Sequence, residues 1–204
     1  MLTVSRRAVA PLLLALAVVL VAVCAPAASA DTRIPFDYTV NASTHLKKLN
    51  QTVTVPPGTF TGKIDLEAAT IKGAITLPDA TFTMKLAGIV PLVTATFHIV
   101  ETKPVKGTID FSQQPFPVTA TSVFDIQIVS LYAGVVPVNL VGDSCTTSKP
   151  VKVTMSGFAT IGEPATFSGP YTIPPLANCG PLTSALNLVI PGPGNTFTAH
   201  ATPN

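Results

Sequence analysis

The stretch Val151-Lys152-Val153-Thr154-Met155-Ser156 alternates apolar and polar residues without a break. In an extended chain successive side chains point to opposite faces. Val151, Val153 and Met155 then share one face, and Lys152, Thr154 and Ser156 the other. A helix would scatter the same six residues around its circumference. The stretch reads as a strand with one buried face.

The same period recurs along the chain. Phe82, Met84 and Leu86 alternate with Thr81, Thr83 and Lys85, and Phe124, Ile126 and Ile128 alternate with Asp125 and Gln127. Leu186, Leu188 and Ile190 form a further inward set. Threonine is frequent, and its β-branched carbon suits a pleated, half-exposed surface. Turn signals separate the runs at Pro56-Pro57-Gly58, Pro78-Asp79, Pro174-Pro175 and Pro191-Gly192-Pro193-Gly194. From Ile128 to Val141 the chain is almost continuously apolar, which suits a strand covered on both faces or two strands meeting at a bend. Gly134 and Pro137 favour the bend. One helical turn is expected from Ala42 to Leu49, and no amphipathic helix of useful length.

Composition agrees. Of 204 residues, 47% are hydrophobic and 11% charged, too apolar for intrinsic disorder. Twenty prolines and 13 glycines are too many for a helical bundle or coiled coil.

The first thirty residues read differently. Arg6 and Arg7 precede an uncharged stretch from Ala8 to Ala30, ending in Ala28-Ser29-Ala30. A basic start, an apolar middle and an A-x-A end form an export signature, and cleavage is expected after Ala30. An uncleaved anchor is physically long enough, but Pro26 and the Ala-rich exit favour cleavage. Acylation at Cys24 is disfavoured by the branched Val23 before it, and Ser5-Arg6-Arg7 is a weak twin-arginine signal. Removing Arg6 and Arg7 from the 12 basic residues leaves 10 against 10 acidic ones. Zero net charge offers no overall footprint for nucleic acid or anionic membrane, and nucleic-acid binding is set aside. No membrane span is expected after cleavage.

Cys145 and Cys179 then remain, and an even count in an exported chain reads as one disulfide. Neither has a C-x-x-C spacing or a nearby histidine, which disfavours a metal site.

The chain also matches itself. Gly62-Lys63-Ile64-Asp65-Leu66 returns as Gly107-Thr108-Ile109-Asp110-Phe111, 45 residues later. Ala87-Gly88-Ile89-Val90-Pro91 returns as Ala133-Gly134-Val135-Val136-Pro137, and Lys103-Pro104-Val105-Lys106 as Lys149-Pro150-Val151-Lys152, each 46 later. Convergent strand-and-turn composition is the alternative to a true repeat. Units this short bury an apolar face only against each other. The expectation is a single all-β domain over 31–204, an antiparallel sandwich or a curled, partly closed barrel. It would be built from two ~46-residue repeats, near 58–103 and 104–149, plus a C-terminal unit.

Chemistry-bearing motifs are sparse. The chain carries no G-x-S-x-G, S-x-x-K, H-E-x-x-H or P-loop motif. His45, His98 and His200 are far apart, and His98 and His200 fall on the outward positions of their strands. Asp65 with Glu67 is a carboxylate pair of the kind glycoside hydrolysis uses, but it reads better as a solvated strand edge beside Lys63. Asp110 occupies the slot of Asp65 in the second unit, as a turn-capping residue would. Asn41-Ala42-Ser43 and Asn50-Gln51-Thr52 match glycosylation sequons. The absence of Trp and the presence of only three Tyr argue against a sugar-stacking surface.

The stretches Ile173-Pro174-Pro175-Leu176, Asn178-Cys179-Gly180 and Asn187-Leu188-Val189-Ile190-Pro191-Gly192-Pro193-Gly194-Asn195 resemble an uncharacterised exported group of high-GC Gram-positive, actinobacterial bacteria. The likeness covers mainly the C-terminal third and implies an exported location, with no site residues to transfer.

The expected protein is secreted or in the cell envelope, non-catalytic, without cofactor or metal, and acts by binding. Its partner is expected to be an apolar ligand such as a lipid, or another envelope component. Ile89, Val90, Val135 and Val136 would line the rim of a curled sheet, because Gly and Pro beside them suit bends better than strand interiors. The rival readings are a structural or adhesive surface protein, and a hydrolase whose site forms only on folding.

Overall fold

The computed structural model describes residues 32–86, 90–134 and 138–204, with backbone alone at 84–86 and 90–92. These residues form an all-β fold around a closed antiparallel barrel. The strands are β1 (Arg33–Leu46), β2 (Gln51–Asp65), β3 (Thr70–Thr76), β4 (Ala80–Leu86), β5 (Val90–Ile109) and β6 (Phe116–Ala133). They continue with β7 (Thr146–Thr147), β8 (Val151–Ala159), β9 (Ala165–Ile173), β10 (Leu176–Ala177) and β11 (Gly192–Pro203). A short helix, α1 (Thr183–Val189), lies between β10 and β11.

Eight strands close the ring in the order β1-β2-β3-β5-β6-β8-β9-β11, and β11 returns to β1 over Tyr38↔Pro203 to His45↔Thr196. Closure removes the open edges of the ring strands, while β4 pairs only with β5 and β10 only with β7. The sandwich alternative is thereby set aside in favour of a full barrel.

The 20-residue β5 makes this possible by changing partner along one edge. Val105–Thr108 pairs with β3, and Val90–Phe97 pairs with β4, while the other edge stays on β6. The switch coincides with register shifts between Glu101 and Lys103 and between Lys103 and Lys106. Pro104, which has no N–H for a ladder, sits inside the second shift.

Alternation does what the sequence implies on β8: Val151, Val153 and Met155 are buried, and Lys152, Thr154 and Ser156 are exposed. Phe124 and Ile128 on β6 likewise face inward, and Ile128 is fully buried. Phe82 on β4 is buried beside exposed Thr81.

Four local expectations are corrected. Pro56-Pro57-Gly58 is no turn but lies within β2, where Val40↔Gly58 is followed by Ala42↔Val55. The two prolines occupy that bulge, the position a strand allows them. Gly58 is needed there, because a Cβ would lie 2.2 Å from the Thr76 carbonyl oxygen. Ala42–Leu49 is strand through Leu46 and then a turn. Leu186, Leu188 and Ile190 do not alternate in a strand: Leu186 is buried in α1 and Leu188 is 76% exposed. The operative period is Leu182, Leu186 and Ile190, four apart, all packed on one small core. Past Ile128, β6 continues to Ala133 and the chain turns at Gly134, with φ +57. The return stretch Val138–Leu140 is not a strand, although Leu140 N–H donates to the Leu131 carbonyl at 2.9 Å.

One end of the barrel carries a cap built from residues 176–190. β10 pairs with β7, and Asn187 both donates to and accepts from the Leu176 backbone, at 2.9 and 2.7 Å. The Cys145–Cys179 disulfide ties the cap to the loop before β7, with Cα atoms 4.3 Å apart. Closing this 34-residue separation stabilises the fold by about 3–4 kcal/mol on a chain-entropy basis.

Candidate functional site

The barrel wall is polar outside and apolar inside, and its interior is not completely filled. A cavity of about 50 Å³ lies beneath the cap, walled by Val53, Ala80, Phe97, Ile99, Phe124 and Leu176 among others. A second, of about 70 Å³, lies at the opposite end between Phe36, Phe60, Ile64, Ile109, Phe167 and Ile161. A gap of about 10 Å³ sits between Leu77, Ile99, Phe124 and Phe197. Phe124 and Ile99 line both the first cavity and the gap, so those two spaces adjoin. Their walls are almost wholly apolar and offer water few hydrogen-bond partners.

Few polar groups reach the interior. The Tyr171 hydroxyl and Thr44 Oγ1 lie 2.6 Å apart on the wall of the first cavity. Burial pushes the Tyr171 phenol above its ordinary pKa, and the bond to Thr44 partly offsets this. Beside the central gap, Glu101 Oε1 accepts from Ile75 N–H at 3.1 Å, and Ser122 is buried next to it. Glu101 thus occupies the site where β3 leaves β5, and satisfies a backbone donor that lost its ladder partner.

The two ends differ. The cap closes one with Leu176, Leu186 and Ile190. The other is bordered by the β8–β9 turn, Thr160 to Pro164, from which Ile161 is 43% exposed. Gly162 takes φ +82 in this turn, a conformation costly for other residues.

Of the rim residues singled out from sequence, Ile89, Val135 and Val136 lie outside the described residues. Val90 opens β5 opposite Leu86, with backbone alone described. The register pairs Val93 with Ala133, so the start of β5 and the end of β6 lie side by side.

The histidines stand apart on three strands. His98 Nδ1 lies 2.5 Å from Asp79 Oδ1, but both side chains are nearly half exposed and sit in no cleft. His200 Nδ1 is 2.9 Å from Thr166 Oγ1, and His45 is 3.4 Å from Thr52 Oγ1, both pairs on the outside. Among the described residues no three His, Cys, Asp or Glu side chains are placed to hold a metal. Asp65 accepts from Ala68 N–H at 2.9 Å, which together with Arg33 holds its carboxyl below the ordinary range. The Ser112 hydroxyl and N–H do the same for Asp110. Both carboxylates therefore cap hairpin turns, the role their matching positions imply.

Sequence reading missed the interior cavity. Val53 on β2, Phe97 and Ile99 on β5, Phe124 on β6 and Tyr171 on β9 converge only when the ring closes. The signal available was inward alternation on each strand, which marks the wall without saying whether its centre is full. Comparison with known protein families, curated proteins and solved structures returns no match.

Proposed function

We propose that this is an exported, non-catalytic β-barrel protein that holds a slender apolar ligand, such as a single lipid chain, inside its barrel. The observation that carries the reading is the apolar-walled space at both ends of the barrel interior. Eight-stranded barrels are just wide enough to be filled by side chains or to hold one small ligand. Each cavity is smaller than the ~150 Å³ that accommodates benzene in an engineered protein. The ligand must therefore be narrow, and side chains must shift to admit it. The end beside Ile161 is the natural mouth, because the disulfide-tied cap covers the other. Each methylene buried contributes about 0.8 kcal/mol, offset by the cost of moving interior side chains.

Export and an envelope or secreted location rest on the N-terminal signature, and the disulfide is compatible with an oxidising compartment. The three segment matches at 45- to 46-residue offsets fit growth of the barrel by duplicated hairpin units, supported by the shared turn-capping role of Asp65 and Asp110. The intervals 58–103 and 104–149 nevertheless divide β2 and β5 within their strands, so the units differ in strand content. A structural or adhesive role is the second reading, favoured by how little of the interior is empty.

Extraction of the protein purified from its native host, followed by mass spectrometry, tests the proposal. A stoichiometric co-purifying lipid is the expected result. Recovery of none, with a barrel that takes up no added lipid, favours the structural role.

A further inference from the structure

The small formal net charge of +2 conceals a segregation. Lys63, Lys72 and Lys106 are exposed and sit directly opposite one another on three adjacent strands, β2, β3 and β5. On the same outer wall Lys103 pairs with Val123, which pairs with Lys152 on β8. Five of the nine lysines thus lie on one side of the barrel. Lys103, Lys106 and Lys152 border a shallow depression with Pro104, Thr119 and Thr121.

Carboxylates do not balance this stripe. Among the described residues none of the five lysines has a carboxylate within 4 Å. Asp65, the acid nearest in register, is engaged by Arg33 and the Ala68 N–H. Like charges directly opposite on neighbouring strands destabilise a sheet. Lysines are often placed to protect a sheet edge, but Lys63, Lys72 and Lys106 stand on strands paired on both sides. Folding itself gives no reason for the row.

We propose that this stripe binds a flexible linear chain carrying phosphate groups in series. Lysine is a point-charge partner for phosphate, and the threonine hydroxyls between the lysines donate to phosphate oxygens. Adjacent strands are about 4.8 Å apart, so the row presents charge at a short, regular repeat. From β2 to β8 the stripe spans four of the eight intervals around the ring, half the circumference. A flat bilayer meets only part of so convex a wall, whereas a flexible chain follows it. No aromatic ring lines the depression around Lys103, Lys106 and Lys152, so nucleic-acid bases find no stacking platform there.

The test is titration of the purified protein with long-chain inorganic polyphosphate, read by calorimetry at several salt concentrations. Three phosphate contacts predict an affinity loss of about 20-fold between about 50 and 200 mM salt. The variant Lys72→Gln/Lys106→Gln should bind about ten-fold more weakly, while Lys47→Gln/Lys48→Gln, at the β1–β2 turn, should bind as the parent does. Thermal unfolding checks that both variants fold. Absence of binding at low salt, or equal loss in the two variants, overturns the proposal. Tighter binding to anionic vesicles, or to single-stranded DNA of the same phosphate count, also overturns it in favour of a membrane or nucleic-acid partner.

Discussion

Tyr171 and Thr44 are 127 residues apart in sequence, yet their hydroxyls meet at 2.6 Å on the wall of the capped cavity, across the intervening strand β11. The pair lets a phenol be buried in a nearly apolar interior with its hydrogen bond made. Burial raises the folded-state pKa of Tyr171 above the unfolded value near 10. Its stabilising contribution is fully present below pH 10 and is lost as pH rises through the folded pKa.

Tyr171→Phe is therefore predicted to flatten the alkaline limb of the stability curve. Thr44 keeps its 3.3 Å bond to the Thr196 carbonyl, so the cost near neutral pH should be about 1 kcal/mol. Urea unfolding at pH values on either side of 10 checks this. An unchanged alkaline limb would show that Tyr171 is not the titrating group.

At the acid end the sign is reversed. Asp65 and Asp110 have folded pKa values held below the ordinary 3.8 by hairpin-turn donors. Their contribution is present above pH 4 and is lost as pH falls through the lowered values. Asp65→Asn/Asp110→Asn should lose stability at neutral pH and show a shallower decline below pH 4, measured by thermal unfolding in acid.

Reduction of Cys145–Cys179 should cost about 3–4 kcal/mol and act first on the cap. Hydrogen exchange on the reduced protein should show α1 and β10 opening before the ring strands. Simultaneous loss of protection throughout would mean that the cap and barrel unfold as one unit.

The sequence revealed local features better than distant ones. On β8 the alternation from Val151 to Ser156 predicted both strand and buried face, since period 2 is a purely local signal. Ring closure depends on β11 finding β1 and on β8 finding β6 across an intervening loop and β7, and nothing local encodes which strands meet. Leu186, Leu188 and Ile190 fit a strand as well as they fit a helix over so short a run, and packing on Leu176 and the disulfide decided for α1. Pro56-Pro57 looked like a turn because the bulge opposite Asn41 leaves no trace in composition. Net charge hid the lysine row for the same reason: a sum over the chain carries no geometry. The disulfide was legible because assigning Cys24 to the export signature left Cys145 and Cys179, which allow one pairing.

The central claim is that the barrel interior takes an apolar chain. The most direct measurement is titration with a fluorescent polyene fatty acid, comparing the parent with Ala201→Leu. Ala201 is 6% exposed and lines the cavity at the Ile161 end, so the larger side chain occupies that space at a cost of about 1–3 kcal/mol. Saturable one-to-one binding in the parent, weakened about ten-fold or more in a folded Ala201→Leu protein, is the predicted result. No saturable binding by the parent, or equal binding by both proteins, would contradict it.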